Sequence, residues 1–506
     1  MSSQLSGAAA QKSASYNSSG RKNAVARYNQ MMPGDWTHLG PGDLMRIKLA
    51  VQRRLEPRAS LHALEACFMV QALLTTGRQF RQLHRLRAIK LPHKAALAHL
   101  DPGLILRDGR RGWWLPAGRP RDRGRSRQDQ MKPLSEKLWL PISRNAEAIL
   151  HRCLRKREVG GHQTDYPLFV TPATELRLEV EVIISEAMGL SRSRRSARTI
   201  QSVERWLFRA LTHASAGDPA AAALITGRYH SVASSMIHYG SLSIEQLIAL
   251  HRETVRQLDE YAHEQYPPEL GRFYIGDART PADGAVRKLS CRLAEELAKA
   301  GSNLGEVHSA MTAYTLALIA FALGLRGGGR VPGYRGIDAE TGFAFVHDKH
   351  FDRIDMIRMV WVCDVAQQQL REYERHLDAL GDVVSIAERG QLEDIRASAH
   401  DAFPYVGLRH GLSIHKRDIA DAADVWKHSL WPGERNAGRH WLRGKLSGLC
   451  ASETLAAFLG HWQSGVQPWG ETSALDPLRY RADLRRAFDG VMESVGWKVQ
   501  ASPLAA

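Results

Sequence analysis

The sequence predicts a mainly helical α+β protein with two large domains. Helical periodicity runs through most of the chain, whereas short strand-like runs with turn residues at their ends occur as only two pairs. The chain has 506 residues, and a single hydrophobic core stops growing at about 250–300 residues. Its 44% apolar and 24% charged residues are typical of globular proteins and exclude a wholly disordered chain.

The first predicted domain covers residues 43–270 and follows a flexible tail, 1–42, rich in Ser, Ala, Gly and Asn. Apolar helical periodicity is strongest over 60–86. Two short runs rich in Trp and Leu, 112–118 and 137–143, predict a strand pair joined by a basic loop. Amphipathic helices are predicted at 144–155 and 173–189, and further helices at 202–214 and 218–226.

The second predicted domain covers residues 285–506 and follows a Gly- and Pro-containing loop, 271–284, which we interpret as the boundary. It opens with an apolar helix over 310–325 that ends in Gly and Arg. A second strand pair is predicted at 342–349 and 353–362. Further helices are predicted at 367–380, 439–449, 454–459 and 477–494.

The two predicted domains share an order of features: an apolar helix ending in Gly-Arg, a hairpin, then helices. Arg205 and Arg439 are 234 positions apart, and Gly227 and Gly460 are 233 apart. Internal duplication would explain this agreement; chance is the alternative.

The net charge favours a polyanionic partner. The chain carries 69 basic and 53 acidic residues, a formal charge of +16. Nucleic acid is the commonest partner of such proteins, while an anionic membrane surface, acidic proteins or an uninvolved basic surface are the alternatives. The loop of the first strand pair is the segment most typical of a DNA contact, although it could be a solvated charge run. Its arginines are Arg119, Arg121, Arg123, Arg125 and Arg127.

The cysteine spacing indicates a reducing compartment, and the hydropathy indicates neither a secretory nor a membrane-spanning segment. The five cysteines are far apart with no CxxC pair, which argues against a disulfide framework and a zinc site. The N-terminal segment has no apolar region of the secretory type. The longest apolar stretch, 314–325, is too short to cross a bilayer. We therefore expect a cytoplasmic, nucleoid-associated protein that does not bind membranes.

Four short motifs follow one another in the second domain: GLR (324–326), VHDK (346–349), NAGRH (436–440) and LGHW (459–462). This set resembles the signature of the tyrosine recombinases, or phage-type integrases. The resemblance implies a mainly helical domain of the DNA breaking-rejoining type with one small sheet. Since the first domain matches in part, it implies two such domains in tandem.

The resemblance assigns roles to residues of the second domain. Arg326 and Arg439 match the two arginines, Lys349 the hairpin lysine, and His461 the Gly-His histidine, while His440 follows Arg439 directly. Asn436 stands where the family has its first His. No tyrosine follows His461 at the family's usual spacing. The nearest candidate nucleophile is Tyr480, 19 residues on.

The first domain matches in a complementary way. Arg205 in ERWLF resembles the arginine before the Gly-His pair, and Gly227-Arg228 stands in place of that pair. Tyr239 lies 11 residues beyond Arg228, close to the position of the family's nucleophile. Arg78 lies one residue before the expected first arginine. Candidates for the hairpin lysine are Lys132 and Lys137.

These residue types suit attack on a phosphodiester. Arginine forks neutralise phosphate oxygens, and a positioned tyrosine can form a covalent phosphotyrosine while a lysine protonates the leaving oxygen. The resemblance implies that no metal or other cofactor is needed. Each residue also has a structural interpretation: a cation at a helix end for Arg326, a packed core histidine for His461, and half-buried helix tyrosines for Tyr239 and Tyr480.

The sequence thus supports three hypotheses. The first is site-specific DNA recombination and integration in a mobile genetic element, with double-stranded DNA bound by a homo-oligomer or together with partner recombinases. The second is a catalytically inactive DNA-binding accessory protein acting with a partner recombinase. The third is a helical scaffold that binds RNA or acidic proteins.

Overall fold

The structure is a computed structural model of mixed helix and sheet, in which helix predominates. Contacts divide it into two compact units. The first unit contains the described parts of Val25–Arg121 and Pro133–Gly276, and the second those of Asp122–Lys132 and Asp277–Ala506. The described residues are 39–91, 97, 99–107, 110–118, 130–157, 164–189, 200–228, 237–261, 266–326, 331–347, 357–409, 413–416, 436–462, 468–469 and 473–505.

The division between the units falls after Gly276, inside the segment 271–284 from which the boundary was predicted. Assignment of residues 130–132 to the second unit was not predicted. Of the predicted tail, 1–42, residues 1–38 lie outside the described residues. Its last two residues, Pro41 and Gly42, already belong to the first helix.

The first unit contains a five-stranded sheet with strand order β4-β3-β2-β1-β5. β1 and β2 are parallel, and the other neighbours are antiparallel. β3 and β4 confirm the predicted strand pair, and the Trp114–Trp139 cross-strand pair is fully buried. A separate two-stranded sheet joins β6 and β7. The strands are β1 Arg87–Leu91, β2 Gly103–Arg107, β3 Arg110–Pro116, β4 Lys137–Pro141, β5 Asp165–Pro167, β6 Ser241–Ser243 and β7 Tyr274–Gly276.

The central helix of the first unit, α2, is buried almost all round. It begins at Ser60, whose hydroxyl accepts the Ala63 N–H at 3.1 Å, and it ends where Gly77 adopts a left-handed φ of 62°. The helices of this unit are α1 Pro41–Arg54, α2 Leu61–Thr76, α3 Phe80–His84, α4 Arg144–Lys156, α5 Ala173–Ala187, α6 Ile200–Ala214, α7 Pro219–Thr226 and α8 Ile244–Val255.

The second unit is built round another apolar helix, α10, which begins at Asn303 and packs against α9, α11 and α13. Its strands form two antiparallel hairpins, β8–β9 and β10–β11. Among the described helices of the chain, none is long and apolar enough to cross a membrane. The elements are α9 Asp283–Lys299, α10 Leu304–Ala322, β8 Phe343–His347, β9 Ile357–Trp361, α11 Asp364–Val383, α12 Ile386–Ala399, β10 Val406–Arg409, β11 Ser413–Lys416, α13 Ala437–Leu446, α14 Ser452–Leu459 and α15 Pro477–Phe488.

The two units repeat part of their element order, and two helices of each unit recur at the same spacing. α14 begins 233 positions after α7, and α15 begins 233 positions after α8. A left-handed glycine separates α7 from α8 (Gly227, φ 66°) and α14 from α15 (Gly460, φ 64°). Helices α4 and α11, which follow the hairpins, are 220 positions apart. The spacing of 233 positions agrees with the predicted internal repeat, whereas the spacing of 220 departs from it.

Candidate phosphate-contact site

Two helix ends of the second unit are linked by a buried arginine from β9. The Arg358 guanidinium donates one hydrogen bond to the Phe458 carbonyl near the end of α14. It donates others to the carbonyls of Leu323 (3.0 Å) and Gly324 (3.2 Å) after α10. Because the last carbonyls of a helix lack intrahelical donors and carry partial negative charge, a cation there is stabilising. Arg358 therefore has a structural role.

Arg439 on α13 approaches the same two helix ends and is fully buried. Its guanidinium donates to the Gly324 carbonyl at 3.1 Å and to the Leu459 carbonyl. The preceding Gly438 permits this approach, because a Cβ there would lie 2.6 Å from the Ala320 carbonyl oxygen. The sequence NAGRH thus places Arg439 by close packing of α13 on α10.

His461 follows the left-handed Gly460 and is buried. Burial lowers the pKa of His461 well below its ordinary value, and four arginine charges lower it further. The imidazole is therefore neutral, and its surroundings are strongly positive. Only one of the four arginines is partly exposed, namely Arg326. The four, in order of their effect, are Arg439, Arg443, Arg326 and Arg358.

His440, the neighbour of Arg439, is held by an acidic residue. Its Nδ1 lies 2.6 Å from the Asp277 carboxylate, and both side chains are buried. Asp277 is the first residue of the second unit after the chain leaves the first. The contact between His440 and Asp277 therefore joins the beginning of this segment of the second unit to α13.

Lys132 lies in the second unit, although the sequence suggested it as a hairpin lysine of the first domain. Burial lowers its pKa to about 8, an effect opposed by the charge of Asp283 and assisted by that of Lys445. Asp283 also accepts hydrogen bonds from Lys445 (2.6 Å) and from the Trp441 indole (2.9 Å). The other candidate, Lys137, lies in β4 of the first unit and donates to the Leu100 carbonyl.

Tyr480 is a core residue rather than an available nucleophile. It is fully buried in α15, and its hydroxyl donates to the Met359 carbonyl of β9 at 2.9 Å. Burial raises its pKa, which opposes formation of a phenolate. The hypothesis that Tyr480 is the nucleophile is therefore not supported by its placement. Lys349 and the arginines Arg119, Arg121, Arg123, Arg125 and Arg127 lie outside the described residues.

The first unit has a related arrangement at the ends of α2 and α7. Arg78 is buried and donates to the Ile225 carbonyl at 3.0 Å. Burial, and then the charge of Arg228, lower the pKa of Arg78 to about 9. The Arg228 Nε donates to the Gly77 carbonyl at 2.7 Å. Arginines thus occupy both helix ends in this unit as well.

In the first unit, a carboxylate lies at this place. The Glu204 side chain accepts the Phe80 backbone N–H at 2.8 Å with one oxygen and the Arg228 guanidinium at 3.1 Å with the other. Burial lowers the pKa of Arg228, and Glu204 opposes that shift.

The packing corrects the predicted correspondence between Arg205 and Arg439. Arg205 is exposed on α6, and the inward-facing neighbour is Glu204. Leu207 lies against Gly77 as Leu442 lies against Gly324. Glu204 precedes Leu207 by three positions, as Arg439 precedes Leu442. Glu204 is therefore the counterpart of Arg439, and the predicted pairing of Arg205 with Arg439 is one residue off.

Tyr239 lies in the turn before β6 of the first unit and is partly exposed. It therefore remains the candidate nucleophile whose side chain reaches the surface. Three residues of the two arrangements were not predicted: Arg358, Arg443 and Glu204. Weak signals existed, since Arg358 is a lone charge in an apolar strand and Arg443 follows Arg439 by one helical turn.

Comparison with known proteins identifies no relative: no protein-family model, curated protein or solved structure matches the chain. Within the described residues, no group of three or more His, Cys, Asp or Glu side chains is arranged to hold a metal ion.

Proposed function

We propose that the second unit binds a backbone phosphate of duplex DNA, and that the protein acts as a DNA-binding accessory of a tyrosine recombinase. The observation that carries this proposal is that the guanidinium groups of Arg358 and Arg439 meet at the same two helix ends. The charges of these two arginines and of Arg443 and Arg326 also lower the pKa of the buried His461. Guanidinium groups are charged at neutral pH and bind phosphate oxygens through pairs of hydrogen bonds. The formal charge of +16 would add long-range attraction to DNA.

The comparison between units supports a binding role for part of the cluster. Arg358 donates to the Phe458 carbonyl as Arg78 donates to the Ile225 carbonyl, and these two carbonyls are 233 positions apart. A guanidinium at this carbonyl is therefore common to both units and structural. A guanidinium at the carbonyl of the left-handed glycine after the central helix is also common to both units, since Arg228 donates to Gly77 and Arg439 to Gly324. Arg443 has no such counterpart, because the first unit has Phe208 in register with it. Arg443 and the partly exposed Arg326 therefore supply positive charge that the shared fold does not require.

The placement of tyrosines favours the accessory role over complete recombination chemistry. From Asp277 onward the sequence contains five tyrosines, and the one nearest His461 in sequence is Tyr480, whose hydroxyl is bound to a backbone carbonyl. Phosphotyrosine formation requires a hydroxyl positioned for attack on the phosphate. In the accessory role, a partner recombinase or another copy of the chain provides that hydroxyl.

The test compares two single arginine variants by titration with a labelled duplex taken from the DNA that flanks the gene. Arg326→Gln removes the exposed charge of the cluster, and Arg335→Gln removes the same charge from an exposed position whose charge does not act on His461. A charge-assisted hydrogen bond contributes about 1.5–3 kcal/mol, so Arg326→Gln should weaken binding at least ~10-fold. Arg335→Gln should have a small effect, and the affinity of the unmodified protein should fall steeply with salt.

Equal losses in the two variants would leave only non-specific attraction and would refute the phosphate site. Absence of duplex binding, together with retention of RNA or an acidic protein, would instead support the scaffold hypothesis.

A second candidate function, strand cleavage by this chain, is favoured by one observation: Tyr239 is partly exposed and lies 12 positions after Gly227. Incubation with nicked duplexes, followed by a denaturing gel, tests it. An SDS-resistant adduct that Tyr239→Phe abolishes would replace the accessory role by catalysis. DNA binding without an adduct is the result expected from the accessory role.

A further inference from the structure

Two neighbouring helices of the first unit, α1 and α5, expose large apolar side chains. Among the described residues, ten such side chains are exposed, and four of them lie on these two helices. The four, with their exposed fractions, are Met45 (57%), Leu49 (43%), Leu178 (63%) and Val182 (37%). The helices pack against each other, and Arg54 of α1 forms ion pairs with Glu179 and Glu186 of α5. Because a cluster of exposed apolar side chains marks an interaction surface, this pair of helices is a candidate docking surface.

Along each helix, the exposed apolar residues form a row with one exposed charge. The rows lie opposite the buried residues of their helices, and neighbours in a row are three or four positions apart, so they share one helix face. The charge stands at the C-terminal end of the row on α1 and at the N-terminal end of the row on α5. We name these rows the α1 stripe, for Met45, Leu49 and Arg53, and the α5 stripe, for Glu175, Leu178 and Val182.

The two helices carry opposite charges in equal number. α1 has four basic residues and one acidic residue, whereas α5 has four acidic residues and one basic residue. Several of these charges are paired within the chain, as in the Arg177–Glu181 ion pair. Among the described residues, Arg53 and Glu175 have no ion-pair partner. The unpaired charge of the α1 stripe is therefore complementary to that of the α5 stripe.

We infer that the α1 stripe of one copy of the chain packs against the α5 stripe of a second copy, in a two-fold symmetric dimer. Antiparallel packing brings Arg53 beside Glu175 of the second copy, and the apolar residues of one stripe beside those of the other. The apolar side chains are thereby removed from water. The symmetry repeats the same contacts with the copies exchanged, because a two-fold interface uses the same surface of both. The inference concerns the first unit and does not rest on the function proposed for the second.

The first experiment measures the mass of the full chain in solution, without DNA, by light scattering over a series of protein concentrations. The unmodified chain should form a dimer as its concentration rises. Leu178→Gln should raise the dissociation constant at least ~10-fold, because the apolar contact is lost in both halves of the interface. Leu478→Gln is the matched control, since Leu478 is equally exposed (63%) but lies on α15 of the second unit.

Charge reversal tests the predicted pairing of the two helices. Arg53→Glu and Glu175→Arg should each weaken the dimer, because each variant places like charges opposite one another in both halves. A mixture of the two variants should associate as tightly as the unmodified chain, because opposite charges then meet in both halves. The mixture also excludes an effect within one helix. The helix dipole favours each original charge in its own helix, and mixing two variants does not repair a loss of that kind.

Three results would overturn the inference: a chain that stays monomeric over the whole concentration series, equal dissociation constants for Leu178→Gln and Leu478→Gln, or a mixture of the charge variants that associates no better than either variant alone. These measurements contain no DNA. Their outcome is therefore separate from that of the Arg326→Gln titration, which tests the proposed function.

Discussion

Both units have arginines at the ends of two helices, but the charges around these arginines differ. In the first unit, Arg78 and Arg228 bind the ends of two helices, and Glu204 neutralises part of their charge. In the second unit, four arginine charges act on one neutral histidine, His461. Arginine at a helix end is therefore not by itself evidence of a ligand site. An excess of arginine over what the shared frame needs is better evidence.

The origin of the shared guanidinium also differs between the units. Arg78 comes from the residue after the left-handed Gly77, whereas Arg358 comes from a strand of the hairpin β8–β9. Both reach the carbonyl two positions before a left-handed glycine, Gly227 or Gly460. The position of the charge in space is more constrained than its position in the sequence.

The largest effect should come from removing these shared arginines. Arg358→Leu leaves the buried carbonyls of Phe458 and Leu323 without this donor, at about 1–3 kcal/mol for each unsatisfied group, whereas the Gly324 carbonyl keeps Arg439 as a donor. Arg78→Leu should cost less, because Arg78 donates to one described carbonyl, that of Ile225. Urea denaturation followed by intrinsic fluorescence measures both. A stable Arg358→Leu protein that loses only DNA binding would make Arg358 a ligand residue and break the comparison.

Falling pH should destabilise both units, since each buries a neutral histidine. Burial lowers the pKa of His251 to about 4, and burial together with the charge of His308 lowers that of His376 to about 3. The unfolded chain, with an ordinary pKa of 6.5, binds these protons first. Stability is therefore complete above pH 6.5 and is lost as pH falls from 6.5 toward 4 or 3.

The loss at low pH should amount to a few kcal/mol, since one pKa unit corresponds to about 1.4 kcal/mol. In the second unit, His376 belongs to a buried hydrogen-bond network. It contacts the Ser502 hydroxyl and His308, and His308 in turn contacts the Val406 carbonyl. Denaturation curves at pH 7, 5 and 4 check the slope. Replacement of His376 by Gln should flatten the pH dependence; an unchanged slope would exclude His376 as its source.

Glycine substitutions should affect the two units unequally. A Cβ at Gly227 would lie 1.5 Å from the Arg78 guanidinium, whereas a Cβ at Gly460 would lie 3.4 Å from Arg358, an ordinary contact. Gly227→Ala should therefore cost more than the ~1–2 kcal/mol that a left-handed alanine costs by itself, and Gly460→Ala about that amount. Melting temperatures compare the two. Equal losses would show that Arg78 moves aside freely.

The smallest effect should separate the two candidate tyrosines. Tyr480→Phe removes the hydrogen bond to the Met359 carbonyl, which should cost about 1 kcal/mol. Tyr239→Phe, at a partly exposed turn, should lower the unfolding free energy less than Tyr480→Phe does in the core. Measured by urea denaturation, the reverse order would mean that the hydroxyl of Tyr239 has a structural role.

The sequence predicts where strongly periodic helices lie better than it predicts which way their side chains point. Helix α4 was predicted within two residues, because an amphipathic pattern and the capping residue Ser143 mark it. Strands β1, β2 and β5 were missed, since short runs such as RAIKL do not show which strands pair. Strands β6, β7, β10 and β11 and helices α8, α9 and α12 were also not predicted.

The candidate site was predicted in part, for a geometric reason. Arg326, Arg439 and His461 lie within one group of charges in the second unit. The adjacent Glu204 and Arg205 were interchanged, because one helical position turns a side chain by about 100° and the sequence alone did not fix the register. Tyr480 shows the same limit, since its burial depends on packing against β9.

The short segment 130–132 has a consequence for how the protein can be divided. Met131 belongs to the core of the second unit, and backbone hydrogen bonds join Lys132 to Thr280 and Ala282 to Gln130. Residues 130–132 thus belong to the second unit, although the chain continues with residues of the first unit from Pro133 to Gly276. A fragment cut after Gly276 lacks these three residues, so its core is left with a missing side chain and two unpaired backbone groups. The second unit is a discontinuous domain, and its folding is complete only when a segment from the first half of the chain has been added to it.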